Sequence, residues 1–170
     1  MKLYFDIDTQ IDFMFPAGAL YVPGAEKLLP LIAKLNCEGR LISTTDAHDE
    51  DDPEFKQWPP HCVKGTVGQT KPAALLRDKR TVIPNHPVEL RIDGADQIIL
   101  EKQALSLFTN PNTDALIKAL DPDECIVYGV VTELCVKECV IGLLERGYKV
   151  SIVREATQSL NPRNKGFSLS

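Results

Sequence analysis

The fold expected of this chain is a doubly wound α/β domain, with a mainly parallel β-sheet flanked by helices on both faces. Two observations predict it. Nearly continuous apolar runs, the mark of strands buried on both sides, alternate with amphipathic stretches of helical period. The chain is also 170 residues long and 44% hydrophobic, enough for a single domain over 1–170 with one sizeable core. Right-handed crossovers then place any site where the strands end, at the C-terminal edge of the sheet.

The elements follow in order. "KLYFDID" reads as a strand, "AEKLLPLIAKLN" as a helix with Gly39 just beyond it, and "RLISTT" as a second strand. "QIILEK" is a third strand, "NTDALIKAL" a helix, and "CIVYGV" a strand rich in β-branched residues. "TELCVKECVIGLLERG" is a helix and "YKVSIV" a strand. No repeat, low-complexity tract or linker interrupts the pattern. The stretch from Asp46 to about Lys71 is too long for a plain connection, and loops of that length are usually functional.

Composition excludes several classes. The net charge of -5 comes from well-mixed acidic and basic residues, which offers no surface for nucleic acid or an anionic membrane. No apolar run approaches the roughly 18–20 residues of a membrane span. "MKLYFDID" lacks the apolar region and cleavage site of a signal peptide. Five cysteines, an odd set with no CxxC pair, argue against a disulfide framework and for a reduced, cytoplasmic setting.

Polar residues at strand ends are the candidates for chemistry. Thr132 reads as a helix N-cap, which puts Cys135 in the first turn, where free N–H groups and the positive helix end favour a thiolate. That matters because a thiol near pKa 8.5 is only about 3% ionised at pH 7. The alternative is a small buried hydrophobe, a reading that suits Cys139, one turn further on, better. A metal pair at these two positions has no third ligand nearby in sequence. Cys37 and Cys125 read as core, and Cys62 stays unassigned. Asp8 ends the first strand and is either a proton acceptor for a thiol or a turn-forming aspartate. Alternation puts Asp6 and Asp8 on one face, and Asp12 reads as structural. Lys102 ends "QIILEK", either facing an acidic partner or snorkelling to water.

The long stretch adds Asp46 and His48, two apart at the end of an extended segment, and His61 thirteen residues later. One carboxylate and two imidazoles form a three-ligand set with open positions, as in catalytic zinc, iron or manganese sites. The acidic run Asp49 to Asp52 reads as a solvated loop. Trp58, the sole tryptophan, reads as core or as the wall of a pocket, and His86 as a surface histidine.

Assembled, these residues resemble the isochorismatase-like cysteine hydrolases, and among them the nicotinamidases. The match runs through "DTQIDF", "GALYVPGA", "DAH", "WPPHCVKGT", the lysine after the third strand and "GVVTELCV", over about residues 3–157. Each motif is weak alone; in this order and spacing they are specific. The resemblance implies a catalytic triad of Asp8, Lys102 and Cys135, and one divalent ion, zinc first and iron or manganese otherwise, held by Asp46, His48 and His61. It implies substrate contacts from Phe13 and Trp58, a cis peptide between Val130 and Val131, and an oxyanion hole from the backbone N–H groups of Val131 and Cys135. The activity implied is hydrolysis of a small amide such as nicotinamide, in NAD salvage, by a homo-oligomer. A ureido-compound amidase, an isochorismatase cleaving a vinyl ether without a cysteine nucleophile, and a non-enzymatic module are the rivals.

Two departures from the family stand out. "QALSLFTNPN" follows the lysine where nicotinamidases carry a segment like "YSAF" or "YSGF". Past "EAT", where relatives continue with a last helix and strand, this chain has only "NPRNKGFSLS", so the expectation is either a truncated product or a sheet edge without its usual cover.

Overall fold

The first strand sets the pattern of the sheet. In β1 (Lys2–Ile7), Leu3, Phe5 and Ile7 enter one apolar cluster, while Tyr4 packs against a second on the opposite face. The computed structural model describes residues 1–160. It adds β2 (Arg40–Asp46), β3 (Arg80–Ile83), β4 (Gln97–Lys102), β5 (Glu124–Val130) and β6 (Val150–Gln158). All pair in parallel, in the order β3-β4-β2-β1-β5-β6. From β1 the chain moves outward first on one side and later on the other, so the sheet is doubly wound and its switch point lies at β1.

Among the described residues four α-helices accompany the sheet: α1 (Ile11–Met14), α2 (Leu29–Leu35), α3 (Thr113–Leu120) and α4 (Lys137–Glu145). α2 covers one face with Ile32; α3 and α4 cover the other with Leu116, Ile117, Val140 and Leu143. β5 and β1 approach closely at Gly129, whose φ is 115° and where a Cβ would stand 2.3 Å from the Ile7 carbonyl oxygen. Only glycine fits that contact. No helix among the described residues is long and apolar enough to cross a membrane.

The structure departs from the sequence expectations at several places. β3 is a strand the apolar pattern does not show, because "RTVI" is short and mostly exposed at the sheet edge. The "AEKLLPLIAKLN" segment divides into a 3-10 turn (Ala25–Leu28) and α2, with Pro30, which has no N–H to donate, at the start of the helix. Thr132 is not a cap. It opens a π-helical turn (Thr132–Val136) that leads into α4 and makes no capping side-chain bond. Cys37 is exposed rather than core, since the buried position at the end of α2 is taken by Asn36. In the altered segment after β4, Ser106 caps the turn Leu107–Thr109 and Leu107 is buried. The missing last helix and strand concern residues 161–170, which lie outside the described residues.

Candidate active site

Asp8, Lys102 and Cys135 meet at the C-terminal edge of the sheet. Asp8 leaves β1 with a left-handed φ of 52°, which takes its carboxylate away from the partners of Asp6. Its N–H donates to the Thr44 carbonyl (3.2 Å), and the Thr44 hydroxyl donates to Asp8 Oδ1 at 2.6 Å. Asp8 Oδ2 lies 2.8 Å from Lys102 Nζ, but off the hydrogen-bonding direction, so this buried oxygen has no aligned donor among the described residues. Lys102 Nζ also donates to Asp46 Oδ1 (2.6 Å), to the Ala104 carbonyl (3.0 Å) and to Cys135 Sγ (3.6 Å). The shared face expected for Asp6 and Asp8 therefore does not hold: Asp6 bonds to Thr9 and Asn36 instead.

Burial governs the charges. It pushes the Asp8 carboxyl up from the ordinary carboxylate range; Lys102 pulls it back, and the Asp46 charge adds to the rise. Burial opposes the Lys102 ammonium, but Asp46 and Asp8 outweigh it and hold the amine firmly protonated. Burial and the Asp8 carboxylate drive the Cys135 thiol well above its usual range, against the pull of Lys102. The depressed thiol pKa expected from the helix end is thus overturned. Cys135 is 7% exposed and faces carboxylates, and the helix terminus does not offset both effects. The thiol rests neutral, with an acceptor beside it. Cys139 is fully buried behind it, as a packed neighbour.

A second cluster adjoins the first through Asp46. Asp46 Oδ2 lies 3.7 Å from His48 Nε2 and 4.0 Å from His61 Nε2. The Nδ1 atoms are engaged on the far side, His48 with Asp52 Oδ2 at 2.8 Å and His61 with the Pro59 carbonyl at 2.7 Å. Such partners fix each ring with its Nε2 lone pair turned inward, as metal-ligating histidines require. Phe55 braces both rings, with centroids 5.4 Å from His48 and 5.5 Å from His61. Glu54 Oε2 stands 2.9 Å from His48 Nε2, yet neither atom has an aligned hydrogen bond. Buried, unbonded ligand atoms of this kind, all converging, fit a divalent cation. Without one, burial opposes the His48 imidazolium, but Asp46, Glu54 and Asp52 outweigh it and push the ring's pKa up to about 10. Asp46 is held down to about 2, chiefly by Lys102 and His48 against burial.

Over both clusters lies a pocket. Asp8, Cys135, Asp46, Glu54 and His61 line its polar side; Phe13, Trp58, Leu20, Leu105, Leu134 and Leu160 line the rest, with Val22, Val130 and Val131. Among the described residues no lysine or arginine lines it. The Val130–Val131 peptide is cis, and the Val131 carbonyl accepts from the N–H groups of Leu134 and Val136 at the start of the π turn. Every site residue expected from the sequence is therefore gathered at this edge. Asp12 serves the framework, accepting from the N–H groups of Ala19 (2.9 Å) and Cys62 (2.8 Å). Missed were Thr44, Asp52 and Glu54. Asp52, read as solvated, faces His48 because the turn Pro53–Lys56 folds the acidic run back. The i, i+4 spacing of His48 and Asp52 was the one signal that could have found it.

An isochorismatase domain model matches residues 4–170, and the chain belongs to the isochorismatase family. The nicotinamidase of Escherichia coli (strain K12) is 27% identical over 183 residues, covering 91% of this chain and 82% of that protein. Among solved structures, the pyrazinamidase/nicotinamidase of Streptococcus mutans UA159 superposes with a TM-score of 0.82 at 26% identity, over 98% of this chain and 92% of that one. The pyrazinamidase of Pyrococcus horikoshii, in complex with zinc, gives a TM-score of 0.77 at 25% identity, over 95% and 88%.

Proposed function

We propose that this protein is a cysteine-dependent amidohydrolase that converts a small neutral amide such as nicotinamide into its carboxylic acid and ammonia. The observation that carries this reading is the neutral Cys135 thiol set beside the Asp8 carboxylate and the Lys102 ammonium, at the floor of an apolar pocket. Asp8 Oδ2, lacking an aligned donor, takes the thiol proton as Sγ attacks the amide carbonyl. Lys102 stays charged throughout and keeps the sulfur and the carboxylate in register. The backbone N–H groups of Val131 and Cys135 hold the oxyanion of the tetrahedral adduct. Asp8 returns the proton to the leaving nitrogen, and ammonia departs with the C–N bond. Water, deprotonated by Asp8, then opens the thioester and restores the thiol.

Asp46, His48 and His61 would hold a divalent ion, zinc first, with Glu54 beside them. When bound, it supplies a Lewis acid that anchors a ring nitrogen and orients the amide. Phe13 and Trp58 offer flat apolar faces to such a ring. A reducing cytoplasm and a role in NAD salvage belong to the same proposal, as does assembly into a homo-oligomer.

The test is ammonia release from nicotinamide, benzamide and a ureido acid by one metal-loaded preparation. Benzamide keeps the stacking and loses the ring nitrogen. One lost interaction of about 3 kcal/mol should lower its kcat/KM on the order of a hundredfold. Equal rates for the two would sink the anchored-ring model, and a leading ureido acid would replace the substrate class.

A further inference from the structure

A second buried lysine lies on the other side of the β1 end from Lys102, and the mechanism leaves it unused. The Lys71 side chain is 1% exposed and that of Asp6 is 0% exposed, with Nζ 3.6 Å from Asp6 Oδ2. Lys71 Nζ donates to Thr9 Oγ1 at 2.9 Å, and Thr9 Oγ1 donates to Asp6 Oδ1 at 2.6 Å. Asn36 Nδ2 donates to the other Asp6 oxygen at 2.9 Å, and the Tyr128 hydroxyl donates to Asn36 Oδ1 at 2.7 Å. Each member of this chain is buried and partnered, so the network has one low-energy arrangement.

Thr9 is the residue directly after Asp8, whose φ of 52° is the left-handed conformation that a non-glycine residue adopts only when its surroundings impose it. The chain around Lys71 grips the same turn twice more. The Ile11 N–H donates to the Thr70 carbonyl at 2.8 Å, and Gln10 Nε2 donates to the Gln69 carbonyl at 2.7 Å. Three successive residues, 69–71, therefore hold the three that follow Asp8.

We propose that Lys71 is a positioning residue: through Thr9 and Asp6 it holds the left-handed turn that aims the Asp8 carboxylate at the Cys135 thiol. Lys102 sets the charge of the triad, and Lys71 sets the direction of its acid. The inference rests on the reading of Asp8 as the proton acceptor, so its test needs a readout that does not depend on the substrate. That readout is the rate at which iodoacetamide alkylates Cys135 at pH 7, followed by peptide mapping in Cys37→Ser protein.

Two variants separate positioning from folding. Thr9→Val keeps the ion pair and the volume but cuts the link to the turn. Lys71→Met/Asp6→Asn removes both charges together, so neither is stranded in the core. In both, Cys135 alkylation should slow on the order of ten- to a hundredfold, the cost of a slightly misdirected group. The kcat for ammonia release should fall in parallel with KM unchanged, and thermal unfolding should show Thr9→Val folded. Wild-type alkylation rates in folded Thr9→Val overturn the proposal, whatever the double variant does. A change of rate that merely tracks the unfolded fraction overturns it too. Wild-type protein that alkylates at Cys135 but releases ammonia from no amide refutes the amidohydrolase reading alone; the inference about Lys71 is then decided by the alkylation rates.

Discussion

Lys102 Nζ sits 2.6 Å from Asp46 Oδ1, while the other oxygen of Asp46 faces His48 and His61. One buried carboxylate is thus shared between the thiol cluster and the metal-type cluster. Removing the ammonium would strand Asp8 and Asp46 in the interior together. Lys102→Met should therefore lower stability by about 3–5 kcal/mol, as breaking a buried pair does. A urea midpoint equal to that of the wild type would show that the two carboxylates do not depend on Lys102.

Asp8→Asn should separate stability from reactivity. Burial raises the carboxyl in the folded protein above its ordinary 3.8, so the folded state binds that proton more tightly than the unfolded chain. The stabilising contribution of protonated Asp8 is present below pH 3.8 and is lost as pH rises through the raised folded value. The variant escapes that loss. It should melt higher than the wild type at pH 7, with the gap closing toward pH 3, at about 2–4 °C for each kcal/mol in a chain of this size. Its Cys135 should alkylate more slowly. A lower melting temperature at pH 7 would contradict the charge assignment.

Cys135 should be the thiol that reacts first. In a Cys37→Ser background, which removes the exposed thiol, one equivalent of iodoacetamide near pH 7 should modify Cys135 and abolish activity. Cys62, Cys125 and Cys139 share the raised thiol but are fully buried and, unlike Cys135, do not line the pocket, so they should remain unmodified. Modification of Cys62 or Cys139 with activity intact would remove Cys135 from the nucleophile's role.

One divalent ion should bind per chain. His61→Ala should lose it, and Asp52→Asn, which changes the partner of the far nitrogen of His48, should weaken binding roughly ten- to a hundredfold. Metal content and titration calorimetry on unchelated protein measure both. Failure of zinc, iron and manganese alike to bind the wild type would remove the metal from the site.

The sheet and the thiol cluster were legible because their signals are local. A parallel strand covered on both faces must be apolar nearly throughout, and Phe5, Ile42, Ile98 and Val127 report that without reference to partners. Asp8, Asp46, Lys102 and Cys135 break those runs at or just beyond their ends, where a charge or thiol would be costly unless it had work to do. β3 escaped because an edge strand pairs on one side only and needs little hydrophobic cover.

Other features depend on what folding brings near. Glu54 and Asp52 look solvated in an acidic run, and only the turn Pro53–Lys56 carries them to His48. Asp6 and Asp8 alternate as if they shared a face, until a left-handed φ at Asp8 parts them. The ionisation of Cys135 is the clearest case. Its position in a first helical turn argues for a thiolate, but burial and the Asp8 carboxylate reverse the sign. A pKa sums desolvation and charges over every neighbour in space, and most of those neighbours are far away in sequence.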